Sequence, residues 1–381
     1  MIMLPHPGTD HASGAADPFG TPASMRTRRG TPLAELGSLV AGFGVRPERL
    51  AELAGLGPEQ LLFGDATLPL AGMARLLSAA TALTGRDDIG LLLGRRIDAL
   101  AGLGLVGQAM RHAPDLRTAL DDLLTHQRRS ADAPILYLLR ANEEVFLGCA
   151  LPGPAGESTS ELLDAVIAAG VGLIRSLVGV VASEILLARR QPAAPDAYRA
   201  VLGAPVRFDA PMTALVLDAR ALARSIPDAD PCRRARLLAD VAASRTPHPP
   251  DIAADVVRAL LPHIVFGAAT LDAIAASLGI HPRTLERRLR EEGLSFRSLQ
   301  SRLQLDVACR LLRDTRMSVA AISEALGYCD PSAFGKWFRR AAGATPAHWR
   351  ERSGCIGQPD GDATQRSCLS GNHNRELLGS F

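Results

Sequence analysis

Two short runs near the C-terminus hold the residue types best suited to chemistry in this chain. In the first, Arg283, Thr284, Glu286, Arg287 and Arg290 crowd together just after Pro282. In the second, Ser332, Lys336 and Arg339 follow Pro331 at helical spacing. Guanidinium and ammonium groups pair with phosphate, and the guanidinium fork matches guanine O6 and N7. Glutamate accepts from a cytosine amine, and a hydroxyl serves either kind of base edge. These residues therefore suit recognition of a polyanionic duplex. Each also has a plainer reading as part of a solvated helix face, and Glu286 stands at the i, i+4 spacing for an ion pair with Arg290.

The surrounding pattern supplies elements to hold both runs. Thr270–Leu278 is an amphipathic helix with Leu271, Ile274, Ala275 and Leu278 inward, and Gly279 supplies the left-handed residue that ends it. Pro282 then suits the first turn of a new helix, Arg283–Glu292, which buries Leu285 and Leu289. Helix, glycine turn and polar second helix make a helix-turn-helix, whose second helix enters a major groove. The arrangement recurs in Val319–Leu326, a turn at Gly327–Asp330, and a helix Pro331–Arg340 anchored by Phe334 and Phe338. Trp349 reads as core alongside them. Between the units, Ser298–Leu312 is helical with Leu299, Leu303, Val307 and Leu311 inward. A rod of that kind, roughly 22–30 Å long at ~1.5 Å per residue, places two recognition helices in successive major grooves about 34 Å apart.

Charge agrees locally. Residues 270–352 hold fourteen Arg or Lys against nine Asp or Glu, a balance of +5 in a chain whose total is +2. Lys336 is the only lysine, so the chain favours arginine everywhere and an Arg-rich run carries less weight than usual.

The second half of this region resembles the signature of AraC/XylS-type transcription regulators. The likeness rests on Ala308, Leu311 and Leu312; Val319, Ile322 and Ser323; Gly327-Tyr328, Asp330 and Ser332-Ala333-Phe334; Lys336 and Phe338-Arg339-Arg340; and Gly343, Thr345-Pro346 and Trp349-Arg350. The resemblance implies one unit with two helix-turn-helix motifs reading an asymmetric promoter site. It implies base contacts at Arg283, Glu286, Arg287, Ser332 and Lys336. Two positions depart from the usual pattern: Ser323 replaces a commoner alanine, and Gly335 leaves the second recognition helix without a side chain there. Upstream, Leu68-Pro-Leu70, the run Asp88–Gly94 and Phe208-Asp-Ala-Pro211 resemble the arabinose-binding-type N-terminal domain of the ornithine-utilisation-type branch. Such a domain implies effector sensing or dimerisation. The expected partners are double-stranded promoter DNA, RNA polymerase, a small-molecule effector and a second copy of the chain.

The rest of the chain is read from its periodicity. It has 381 residues, 47% hydrophobic and 22% charged, with aromatics only 4%, so its cores must be mostly aliphatic. Residues 1–30 read as a disordered leader ending in a basic cluster, and 353–381 as a disordered tail. Residues 31–228 read as a mainly helical α+β domain. Leu33, Leu36, Val40 and Phe43 share one helix face, and further helices are expected at Leu68–Leu83, Asp88–Ile97, Leu103–His112 and Leu116–Arg128. Alternation marks a hairpin, Ile135–Arg140 and Val145–Leu151, followed by a long helix Ser158–Val178 with Ser158 in a capping box. A strand at Ala182–Ala188, a helix at Pro195–Leu202 and short strands at Val206–Phe208 and Ala214–Leu217 complete it. Residues 229–250 read as a linker, with the proline-rich 244–251 its centre. The DNA-binding domain then spans 251–352, and the fold class is mainly α with a small α+β N-terminal domain. In that domain Tyr137, Arg140, His126 and Arg128 are candidates for an effector pocket, beside plainer roles in packing or exposure. Leu162, Val166, Ile174 and Leu177 are candidates for a dimer seam or for internal core.

Several function classes find no support. The six cysteines lie far apart with no metal-ligand spacing, so no metal or cofactor is expected and a reducing compartment fits. No secretory signal or membrane span is visible, which points to the cytoplasm. An enzyme fused to a DNA-binding tail would need a phosphate loop, nucleophile elbow, metal cluster or dinucleotide fingerprint, and none is present. A constitutive DNA-binding protein whose N-terminal domain only dimerises remains the alternative to an effector-modulated regulator.

Overall fold

The computed structural model describes residues 32–57, 68, 70–127, 134–152, 159–244, 251–265 and 269–354. The leader, most of the tail, Arg128, Ser158 and the prolines of 245–250 lie outside these residues. The chain is mainly helical with one small sheet. The N-terminal part opens with α1 (Pro32–Ala41), α2 (Pro47–Ala54), α3 (Leu70–Thr84), α4 (Ile89–Arg96), α5 (Ala99–Gly102), α6 (Gly104–Arg111) and α7 (Leu116–His126). Strands β1 (Ile135–Ala141) and β2 (Glu144–Ala150) follow, then α8 (Ser160–Val178), β3 (Glu184–Leu186), α9 (Pro195–Leu202), β4 (Val206–Arg207), β5 (Thr213–Asp218) and α10 (Pro231–Ser244). The sheet order is β1-β2-β5-β3-β4, antiparallel except for the β3–β4 pair.

The hairpin register follows the alternation in the sequence. Leu136 faces Cys149 and Ile135 faces Ala150 across the strands, and Asn142 makes the turn at φ 54°, a region its short polar side chain tolerates. Helix α8 lies across the sheet and buries Leu162, Ile167, Val171, Ile174 and Leu177. Three of the four residues considered for a dimer seam are thus internal core.

Against the outer side of α8 packs α4, and here glycine is required. A Cβ on Gly90 would fall 1.8 Å from the Glu161 carbonyl oxygen, and one on Gly94 would fall 2.2 Å from that of Ala165. Two bare positions four residues apart let the helix backbones touch. A buried polar knot closes the same region. Arg189 donates to the Asp164 carboxylate and, at 2.6 Å, to the Tyr198 hydroxyl oxygen, and Tyr198 donates to Asp164 at 2.8 Å. Burial pushes the Asp164 carboxyl up to about 6 against the opposing pull of Arg189. Removing either partner would strand the other charge in the interior, at a cost of roughly 3–5 kcal/mol.

Three expectations need correction. Phe43 is 40% exposed, because α1 ends at Ala41 and the turn at Gly44 carries the ring off the buried face; the Arg86 guanidinium lies 4.8 Å from its centroid instead. The long helix begins at Ser160 after Thr159, which makes no side-chain cap. The stretch expected as linker contains the fourteen-residue helix α10, which buries Val241 and ties Arg234 to Asp122 at 2.6 Å. Its apolar positions are few, so periodicity alone understates it.

After α11 (Ile252–Ile264), the C-terminal part is α12 (Leu271–Ser277), α13 (Pro282–Glu291), α14 (Phe296–Asp314), α15 (Val319–Ala325), α16 (Pro331–Ala342) and α17 (Pro346–Gly354). One continuous core joins them, from Val256 and Leu260 through Leu285, Leu303 and Leu312 to Phe334 and Phe338. Ser323 is fully buried in it, and its hydroxyl has no hydrogen-bond partner among the described residues. Among the described residues no helix is long and apolar enough to cross a membrane.

Two stability tests follow from this packing. Gly94→Ala should cost about 1–3 kcal/mol by overpacking α4 on α8. Gly102→Ala, whose Cβ would meet nothing within 4 Å, is the control and should leave Tm unchanged or raised. Ser323→Ala removes an unsatisfied hydroxyl and should add on the order of 1 kcal/mol, read as a higher urea midpoint with unchanged slope.

Candidate nucleic-acid interface

The first polar helix is set up at its N-terminus. His281 is the N-cap, its Nδ1 accepting from the Arg283 N–H at 3.2 Å, and Pro282 occupies the first helical position. Leu285 and Leu289 are fully buried and fix the rotation of α13. That rotation leaves Arg283, Glu286, Arg287 and Arg290 exposed and Thr284 half-buried. All five line one surface concavity with His281 and Pro282. The ion pair on this helix joins Arg287 to Glu291 at 3.0 Å, in place of the Glu286–Arg290 pairing that the spacing allowed. Its two side chains are 62% and 59% exposed, so it is worth no more than ~0.3–0.5 kcal/mol and yields readily to a stronger acceptor. His281 was not singled out from the sequence; its place between the glycine turn and Pro282 was the available signal.

The second polar helix has a firmer base. Asp330 caps α16, accepting from the Ser332 N–H at 2.9 Å and the Ala333 N–H at 3.3 Å. Those donors, aided by the Lys336 charge, hold its carboxyl below the ordinary carboxylate range. Phe334 and Phe338 are fully buried with their rings 5.8 Å apart. Tyr328 stands 5.5 Å from Phe334 and Trp349 6.1 Å from Phe338, so the turn tyrosine joins the aromatic core. Outside, Ser332, Lys336 and Arg339 are exposed. Gly335 sits among them, and a Cβ there would meet nothing within 4 Å. The protein's own packing therefore does not demand glycine at this position.

Between the two helices, α14 runs for nineteen residues, a rod of about 28 Å at ~1.5 Å per residue. Ser295 and Ser298 close a capping box at its start, and Leu299, Leu303, Leu311 and Leu312 are buried along it. Not every arginine of this region faces outward. Arg310 donates to the Leu151 carbonyl oxygen of the N-terminal part. Arg313 pairs with Asp314 at 2.8 Å, and Arg350 donates to the Met317 carbonyl oxygen at 2.6 Å. The local excess of positive charge is thus partly spent on holding the fold, and the outward share lies mainly on α13 and α16.

The described residues considered for an effector pocket lie on α7 and β1. Tyr137 is buried with its ring over Gly148, Arg140 is exposed at the end of β1, His126 lies in the last turn of α7, and Arg128 is outside the described residues.

Comparison with known proteins finds family matches in two stretches of the chain. Residues 44–226 match the arabinose-binding domain of AraC transcription regulators, N-terminal, and residues 274–352 match a helix-turn-helix domain. The HTH-type transcriptional regulator VirS of Mycobacterium tuberculosis is 31% identical over 304 residues, covering 77% of this chain and 87% of that protein. The ornithine utilization regulator of Pseudomonas aeruginosa is 25% identical over 324 residues, 82% of this chain and 93% of its own. A crystal structure of the transcriptional regulator CdpR from Pseudomonas aeruginosa aligns with 83% of this chain and 96% of its own, at 22% identity and a TM-score of 0.41, too loose to bear on the assignment. With two helix-turn-helix units on one spacer and a relative that matches along most of both chains, this protein belongs to the AraC family of DNA-binding transcription regulators and carries an arabinose-binding-type N-terminal domain.

Proposed function

We propose that the chain regulates transcription by reading an asymmetric promoter site with two recognition helices, under control of a small molecule bound in its N-terminal domain. The observation that carries the DNA reading is the pair of exposed polar faces, Arg283, Thr284, Glu286, Arg287 and Arg290 on α13 and Ser332, Lys336 and Arg339 on α16, each backed by a fully buried apolar pair. Rigid backing matters because a base contact discriminates only if its side chain arrives in a fixed register. In this reading Arg287 and Arg283 take base edges, Glu286 accepts from an amine, and Lys336 and Arg339 contribute to base and phosphate contact. Arg290, near the end of the helix, serves phosphate.

The sensor reading is preferred to pure dimerisation because the apolar face of α8 is occupied internally and an apolar cavity lies beside it. The chain's partners are then promoter DNA, RNA polymerase, the effector and a second copy of itself, acting in the cytoplasm with no catalytic step. The names of the matched domain and of one relative suggest two effector chemistries, a sugar and an amino acid.

Sequencing of DNA fragments retained by the purified protein identifies the site. On that site, Arg287→Ala should lose roughly 1–3 kcal/mol of discrimination against the altered base. Lys336→Ala should lower affinity across sequences and reduce the salt slope by about 0.9 for each phosphate it no longer neutralises. Unchanged mobility-shift titrations for Arg287→Ala would place the recognition face elsewhere.

A further inference from the structure

The N-terminal part holds a cavity of about 620 Å³ bounded by α3, α4 and α5, by α8 and by the β1–β2–β5 face. That is the size of sites that hold drug-sized ligands, roughly 300–1,000 Å³. Its chemistry is one-sided. Leu77, Leu93, Leu136, Leu147, Val166 and Leu173 form its walls, and every other described lining residue is Pro, Leu, Met, Ile, Ala, Gly or Cys. Among the described residues no lining side chain carries a charge or an oxygen, and the only side-chain heteroatoms among them are the sulfurs of Met73 and Cys149. The Cys149 thiol is pushed up to about 12 by burial, so it stays neutral.

Such a wall selects against both chemistries suggested by name. A sugar would bring several hydroxyls with no side chain to pair them, and a zwitterionic amino acid would bring two charges with no counter-charge. A hydrocarbon surface loses nothing on entering and replaces poorly held water. From the lining and its size we infer that the N-terminal domain binds a mostly hydrocarbon molecule, its polar group kept at the mouth, in the cavity bounded by α3, α4, α5, α8 and the β1–β2 face. This rests on the sensor reading above and names its ligand class.

The same wall borders the DNA-binding part. Cross-strand neighbours Leu136 and Cys149 face the cavity, while the adjacent pair, Ile135 and Ala150, points to the opposite face of the pleat. Ile135 is 2% exposed and packs with Val256 and Leu260 of α11, and Ala150 packs against the same core. One residue further, the Leu151 carbonyl accepts from Arg310 on the spacer α14. A ligand pressed against one side of β1–β2 thus acts on a strand pair whose other side belongs to the core that carries both recognition helices.

The test uses the full chain and the neutral fluorophore N-phenyl-1-naphthylamine. The expected result is a saturable fluorescence rise at one site per chain, reversed by 1-decanol and untouched by L-arabinose or L-ornithine. Val166→Trp, which fills the cavity, should weaken the probe tenfold or more with the far-ultraviolet circular dichroism unchanged. Should that variant misfold, the competition on the unmodified chain decides. Addition of 1-decanol should also change the dissociation constant for promoter DNA at least threefold. Absence of saturable probe binding, or displacement by arabinose or ornithine, overturns the ligand class. Decanol binding that leaves DNA affinity unchanged overturns the coupling. A chain that binds DNA and not the probe refutes only this inference, whereas one that binds the probe and no DNA refutes the regulator reading.

Discussion

The structure depends on the burial of α14. This helix lies along α11, which in turn supports α12 and α13, while α15, α16 and α17 pack on its later turns. Leu299 and Leu303 near its start and Leu311 and Leu312 near its end are all shut away from solvent. Neither helix-turn-helix unit has an independent core, since each is too small to bury enough apolar area on its own. Their separation and relative rotation are therefore properties of one rod and its stripe. Truncating an apolar side chain of that stripe would loosen both reading heads at once, through cavity formation that a close-packed core relaxes only in part.

The end of the rod is also where the two parts of the chain meet. Arg310 reaches the Leu151 carbonyl, Arg190 donates to the Arg313 carbonyl at 2.9 Å, and the Arg316 N–H donates to the Asp209 carboxylate at 2.6 Å. Asp209 holds φ 53°, and its own N–H bonds the Arg189 carbonyl, so the contact continues into the buried Asp164–Arg189–Tyr198 knot. These are mostly polar ties, made to backbone carbonyls and a single carboxylate. Ties of that kind are specific in geometry yet modest in net worth, because water competes for every group involved. They act beside the apolar contact of Ile135 and Ala150 with the α11 core, which joins the same two parts.

The sequence was most legible where one face of a helix is apolar and one turn is glycine. Both motifs, the spacer, the hairpin and the helix at Pro195–Leu202 follow from periods of 3.6 and 2 that survive in the fold because the core enforces them. What it could not show is the use made of a side chain by a distant neighbour. Arg310, Arg313 and Arg350 look like surface bases in one dimension and are bound to carbonyls and a carboxylate in three. Phe43 shares the helical register of Leu36 and Val40, but the helix stops before reaching it. Tyr137, Arg140 and His126 drew attention because they are polar, whereas the cavity is lined by aliphatic residues indistinguishable from core.

That cavity follows from how α8 is held. At one end, Gly90 and Gly94 of α4 meet the α8 backbone at Glu161 and Ala165, an approach that no larger residue would permit. At the other, Leu173 and Leu177 are buried in the core shared with β5. Along α8, Ala165, Ala169 and Gly170 line the cavity with short side chains, and a Cβ on Gly170 would lie 3.4 Å from Leu215 of β5. Leu93 of α4 forms part of the wall, and the other face of the sheet carries Ile135 and the DNA-binding core. Protein interiors otherwise fill to crystal density, and the short residues of α8 leave room where larger ones would close it. The close contact thus rests on the glycines of α4, and the room beside it on the short residues of α8.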